Sequence, residues 1–224
     1  MTGHPDRTVP QVKICGLTDA DQALACAELG ADAIGLVFFP KSPRHVTLEK
    51  AREIAGGLPP DVASIGVFVN ADYDVIMETV SRCGLTGVQL HGQEPPGLVE
   101  RLVEKKLRVV KVLFIGASPA MESAPEYRAT AYLVECAGGK LPGGNAMAWD
   151  WKAARPLGKD RPVILAGGLT ADNVARAISD AEPDAVDVSS GVEIRPGRKD
   201  LEKVAAFIAA VYRSDTGRFR RRVF

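Results

Sequence analysis

Eight short apolar runs, spaced along the chain with helical patterns between them, constrain the fold more than any other feature. They read "VKICG" (12–16), "AIGLVFF" (33–39), "SIGVFV" (64–69), "GVQLHG" (87–92), "RVVKVLFI" (108–115), "AYLVECA" (131–137), "PVILAGG" (162–168) and "AVDVSSG" (185–191). Most are near-continuous Val, Ile and Leu with little alternation, as expected for parallel strands covered on both faces. The stretches between them carry helix signals. "TDADQALACAELGA" opens on Thr18 and Asp19 and stops at Gly30, "TLEKAREIAGG" opens on Thr47, and "NADYDVIMETVSRCG" stops at Gly84. "EPPGLVERLVEKK" places prolines in its first turn, where a missing N–H costs little. After "LVECA" the pattern loosens into a long loop, "GGKLPGG", followed by a short helix around "WDWKAARP". Repeated strand–helix units of this kind predict an α/β fold, a closed (β/α)8 TIM barrel, over an open doubly wound sheet. An open sheet usually carries GxGxxG after its first strand, and here that place reads "GLTDAD".

A length of 224 residues fits one such barrel, and no linker divides it. The expected organisation is a single domain over 1–224, with 1–10 and 215–224 as flexible or peripheral ends. The basic stretch "RFRRRVF" belongs to the second of these and reads as a solvated terminus. Lys plus Arg equals Asp plus Glu, 28 against 28, so nucleic acid and anionic membranes are not expected partners. No run of apolar residues is long enough to span a bilayer, and the opening "MTGHPDRTVPQ" lacks an apolar signal segment. Cys15, Cys26, Cys83 and Cys136 form no CxxC pair and read as reduced cytoplasmic thiols. His4, His45 and His91 show no ligand spacing, so no metal site is expected. No exposed apolar stripe stands out, and a monomer is expected.

Barrel enzymes carry their chemistry at the C-terminal ends of the strands. Cys15 ends the first run, where it is core filler, nucleophile, metal ligand or proton carrier. Arg44 lies in "PKSPRHV", a loop stiffened by Pro40 and Pro43. A guanidinium held there suits bidentate binding of a carboxylate, although on this loop alone a plain surface arginine is the slightly better reading. Glu135 ends the sixth run. Desolvation at a strand end disfavours an ionised carboxylate, which suits a proton donor. A rim carboxylate paired with lysine is the simpler alternative. His91 ends the fourth run as a substrate contact, a brace for Cys15 or a loop, or a structural histidine. Asp187 either orients another group inside the barrel or is a buried structural acid. The late runs end in Gly167, Gly168 and in Ser189, Ser190, Gly191, small residues whose N–H groups suit a phosphate at the usual place in this fold.

Taken in order, "KICGLT", "GLVFFPKSPRHV", "GVFVN", "VQLHG", "AWDW", "LAGGLTADNV" and "DVSSGVE…PGRKD" cover nearly the whole chain. In this ordered set the chain resembles the phosphoribosylanthranilate isomerase family of tryptophan biosynthesis. The resemblance implies an aldose–ketose isomerase without metal or organic cofactor. It would convert N-(5′-phosphoribosyl)anthranilate to 1-(2-carboxyphenylamino)-1-deoxyribulose 5-phosphate by an Amadori rearrangement. It further implies that Cys15 is the general base, that Arg44 meets the anthranilate carboxylate, and that the glycine and serine turns hold the phosphate. A thiol hydrolase is disfavoured, because Cys15 has no motif histidine or oxyanion turn nearby. Two places depart from the family pattern. The general acid is normally an aspartate, and here Glu135 stands in its position. The next loop normally reads Gly-Gly-(Ser/Thr)-Gly, and here Gly143 and Gly144 are followed by Asn145 and Ala146. These departures leave two alternatives: a paralogue acting on a related N-ribosyl or sugar-phosphate compound, and a barrel that binds a phosphoribosyl ligand without turning it over.

Overall fold

The computed structural model describes residues 8–136 and 149–224. Eight parallel strands close into a barrel in sequence order: β1 (Gln11–Cys15), β2 (Ala33–Phe38), β3 (Ala63–Phe68), β4 (Gly87–Leu90), β5 (Arg108–Ile115), β6 (Ala131–Cys136), β7 (Val163–Leu165) and β8 (Ala185–Val188). Closure comes from β1, which pairs β2 on one side and β8 on the other. Six α-helices lie outside it among the described residues: α1 (Ala20–Glu28), α2 (Leu48–Gly57), α3 (Tyr73–Cys83), α4 (Pro96–Glu104), α5 (Val174–Ala181) and α6 (Leu201–Arg213).

Local chemistry sets these helix limits. The Asp19 carboxylate accepts from the Gln22 N–H to start α1, and the Thr47 hydroxyl accepts from Lys50 to start α2. Helix α3 stops at Gly84, whose φ of 67° only glycine adopts freely. After β5 and β6 the chain forms 3₁₀ helices, Met121–Glu126 and Trp151–Lys159. Each contains a proline, Pro125 or Pro156, which denies the backbone a continuing α-helical ladder. The short helix expected near "WDWKAARP" is the second of these. Beyond β8 a 3₁₀ turn (Ser190–Val192) leads into an antiparallel hairpin of β9 (Glu193–Arg195) and β10 (Arg198–Lys199), which the strand pattern did not announce.

Strand residues alternate between the helical shell and the barrel interior. The outward set packs with the helices into the main core, for example Ile14, Ile34 and Val186 against Phe207 and Ile208. The inward set is layered. At the base lie alanines from four strands, Ala33, Ala63, Ala131 and Ala185, and above them Ile65, Val112, Leu133 and Ile164. Inside the same barrel, β1 and β8 place a buried ion pair, with Lys13 Nζ 2.9 Å from Asp187 Oδ1.

The C-terminal stretch does not lie where the sequence suggested. Phe224 is 2% exposed, and with Val223 it packs among the alanines of the barrel base. Those small side chains leave a hole, and an aromatic ring fills it, which removes apolar surface from water on both partners. Gln11 Oε1 accepts from the Val223 and Phe224 N–H groups at 2.7 and 3.0 Å. The arginines are equally engaged. Arg221 pairs with Asp184 at 2.7 Å, and Arg220, 4% exposed, donates to the Pro183 carbonyl. Residues 220–224 thus form a plug, and the basic run serves to tie it down.

Candidate active site

Cys15, Arg44, His91, Glu135, Asp187 and the turns at Gly167–Gly168 and Ser189–Gly191 all line one pocket at the C-terminal mouth of the barrel. Distance in sequence had left open whether they meet. The closed strand order brings them to a common rim.

Cys15 ends β1 with its thiol inward, 8% exposed. It has room because its registered neighbour on β2 is Gly35. A Cβ on Gly35 would sit 2.6 Å from the sulfur. Burial pushes the thiol above its ordinary range. The ammonium groups of Lys13 and Lys199 pull against this, and Asp187 adds to it. Lys13 itself is fully buried two residues below on the same face. Burial is the largest influence and works to lower its pKa, but Asp187 and Cys15 together outweigh burial and raise it. Asp187 is thus the ion-pair partner of the ammonium that lies beneath the thiol.

Glu135 ends β6 and is 5% exposed. Its Oε1 lies 2.8 Å from His91 Nε2, and His91 Nδ1 lies 2.9 Å from Gln89 Nε2. The Gln89 amide donates to Nδ1, so Nε2 carries the proton and donates to Glu135. That bond occupies one carboxyl oxygen and leaves Oε2 for a ligand. His91 thus bonds Glu135, and no bond to Cys15 is seen among the described residues. Gln89 Oε1 is buried without a partner.

Arg44 leaves the loop after β2 and runs over Gly16, where a Cβ would meet Arg44 Cδ at 2.5 Å. Its Nε and Nη2 donate to the two carboxylate oxygens of Glu193 at 2.9 and 2.7 Å. At the opposite side, Gly167 and Gly168 take left-handed conformations, φ 85° and 66°. Asn173 folds this turn by accepting from the Thr170 N–H and donating to the Gly168 carbonyl, both at 2.8 Å. A side chain on Gly191 would collide with the Leu169 carbonyl, so the two turns approach as closely as they do only with glycine there. Trp149 Nε1 donates to the Ala166 carbonyl at 3.1 Å, which seats the aromatic ring of "AWDW" beside Gly167. Gly143, Gly144, Asn145 and Ala146 lie outside the described residues.

A family model described as N-(5′phosphoribosyl)anthranilate (PRA) isomerase matches residues 12–210. The chain belongs to this family. A relative named N-(5′-phosphoribosyl)anthranilate isomerase from Desulfatibacillum aliphaticivorans is 54% identical over 88% of this chain and 91% of its own length. One of the same name from Geobacter sp. (strain M21) is 45% identical over 89% and 96%. Among solved structures, phosphoribosyl anthranilate isomerase from Thermotoga maritima superposes with a TM-score of 0.84 at 40% identity, covering 91% of this chain and 98% of that one. A further isomerase structure, in complex with reduced 1-(o-carboxyphenylamino)-1-deoxyribulose 5-phosphate, gives a TM-score of 0.81 at 40% identity over the same shares. The activity is PRA isomerisation in tryptophan biosynthesis. Among the described residues no helix is long and apolar enough to cross a membrane.

The sequence reading missed Lys13, Gln89, Asn173, Glu193 and Lys199. Lys13 did leave a signal, as a charge inside the apolar run "VKIC". Glu193 and Lys199 sit within "SSGVEIRPGRKD", whose polar residues were read only for phosphate.

Proposed function

We propose that Cys15 and Glu135 carry the rearrangement as base and acid, with Arg44 on the anthranilate carboxylate. The phosphate then lies in the turns at Gly167–Gly168 and Ser189–Gly191. The observation that carries this reading is that the Cys15 thiol and the Glu135 carboxyl, from β1 and β6, face the same pocket.

Glu135 gives its proton from Oε2 to the furanose ring oxygen. The C1′–O bond breaks as the anilino nitrogen lone pair forms a C1′=N⁺ iminium. The His91 N–H, already directed at Oε1, stabilises the carboxylate left behind. Cys15, as thiolate, takes the proton from C2′, and the freed electron pair forms the C1′=C2′ bond of an enolamine. Loss of the C2′ hydroxyl proton and protonation at C1′ give the ketone. Burial keeps the thiol above its ordinary range, so the fraction of enzyme that carries the thiolate base grows with pH.

The test is the fluorescence of freshly made substrate as it is consumed. Cys15→Ala and Glu135→Gln each bring turnover down by at least about a hundredfold, the usual share of a general acid or base, with unchanged circular dichroism. Full activity in either variant removes that residue from its role. We further place the enzyme in the cytoplasm as a monomer. The absence of any CxxC pair in the sequence supports the first, and the spread of the exposed large apolar side chains over α1, α3, β9 and α6 supports the second. Sedimentation velocity decides the oligomeric state, since one relative of known structure, from Thermotoga maritima, is described as dimeric.

A further inference from the structure

We propose that Glu193 is a positioning residue that presets Arg44 for a carboxylate and thereby sets the enzyme's preference for an aromatic amine bearing that group. The inference rests on the assignment of Arg44 to the anthranilate carboxylate.

The geometry begins with the guanidinium. Glu193 takes its side-on edge, Nε at 2.9 Å and Nη2 at 2.7 Å. The end-on edge, made by Nη1 and the second Nη2 hydrogen, meets no acceptor among the described residues where Arg44 lines the pocket. A planar fork held along one edge presents the other at a fixed angle, which is what bidentate capture of a second carboxylate requires.

Glu193 is itself fixed. It is buried, and its Oε1 also accepts from Lys199 Nζ at 2.8 Å and from the Gly197 N–H at 3.2 Å. Lys199, 1% exposed, donates as well to the Ser189 carbonyl at 3.2 Å. The β9–β10 hairpin thus ties the arginine to the turn assigned to phosphate. The cluster of Arg44, Glu193 and Lys199 carries one surplus positive charge, which matches one incoming carboxylate. Neutralising Glu193 leaves the two cations repelling each other, and Lys199 already feels Arg44. Lys199 is locked in place, so Arg44 is the group that moves.

Two effects oppose each other when Glu193 becomes Gln. The site gains positive charge, which favours a carboxylate, and it loses the fixed geometry of its fork. Arg44 is largely shielded from water, at 12% side-chain exposure, and bidentate capture is directional, so the geometric loss dominates.

The experiment compares two substrates, N-(5′-phosphoribosyl)anthranilate and the carboxylate-free N-(5′-phosphoribosyl)aniline. In Glu193→Gln, KM for the anthranilate compound rises about tenfold, the worth of one charge-assisted hydrogen bond, while kcat and the constants for the aniline compound hold. If the buried Lys199 charge prevents folding, Glu193→Asp keeps that charge paired, draws the carboxylate back from Arg44 and gives the same selective rise in KM. Equal losses on both substrates, no change on either, or a lower KM for the anthranilate compound would overturn the proposal. Arg44→Met is the control. If it leaves the preference intact, the Arg44 assignment itself fails. If it abolishes the preference while Glu193→Gln does not, only the Glu193 inference fails.

Discussion

At the scale of single residues, the buried thiol has the clearest consequence. Burial holds Cys15 protonated in the free enzyme above the ordinary thiol range, against the pull of Lys13 and Lys199. The base form is the thiolate, so the profile of kcat/KM, which reports free-enzyme groups, rises with pH through the alkaline range. Lys13→Met takes away the nearest cation and leaves Asp187 facing the sulfur, so both changes push the thiol further up. The rising limb therefore moves to higher pH in that variant. A profile that is flat from neutral to alkaline pH, or a limb that moves down, contradicts this electrostatic account. Cys15, Arg44 and Glu135 were legible as candidates because each reactive group ends an apolar run or stands in a proline-stiffened loop. Their partners were not legible. Gln89 orients His91, and Glu193 holds Arg44, through contacts that span 2 and 149 residues, and nothing in local spacing separates such polar residues from solvated ones.

The strands explain why the site has room for its chemistry. Register pairs Cys15 with Gly35, so the thiol stands over a neighbour without a side chain. Gly35→Ala would bring a methyl to 2.6 Å from the sulfur, and the thiol must turn away. A misplacement of about 1 Å costs roughly a hundredfold in rate, so kcat falls steeply while the melting temperature changes little. Steady-state kinetics beside thermal unfolding checks both halves. Gly35 reads in sequence as a weak spot in a strand, and its use emerges only once β1 and β2 are aligned. The elements after β5 and β6 teach a related lesson. Pro125 and Pro156 are visible in the sequence, yet that these segments still cover the barrel, as 3₁₀ turns, depends on Ala124 and Trp151 finding apolar partners there.

For the whole molecule, the barrel is closed at the bottom by its own C-terminal stretch. Phe224→Ala would leave a cavity among Ala33, Ala63, Ala131 and Ala185. Loss of a buried phenylalanine costs about 3 kcal/mol, or roughly 10 °C in melting temperature at this size, and leaves KM unchanged because the pocket lies at the opposite mouth. Calorimetry of the variant measures the first and kinetics the second; an unaltered melting temperature would mean that the plug contributes nothing. By itself the sequence determined the strand and helix period, the closed parallel barrel and the chemical types at its mouth. These depend on residues close together in the chain, where apolar periodicity and caps act over a few positions. Only the tertiary structure decided which carboxylate braces Arg44, which cation lies under Cys15 and where the basic tail goes. Those outcomes rest on closure, which carries β8 and residues 220–224 back against β1. An arginine run in water and an arginine run tying down a plug have the same letters, and only the hole left by four alanines distinguishes them.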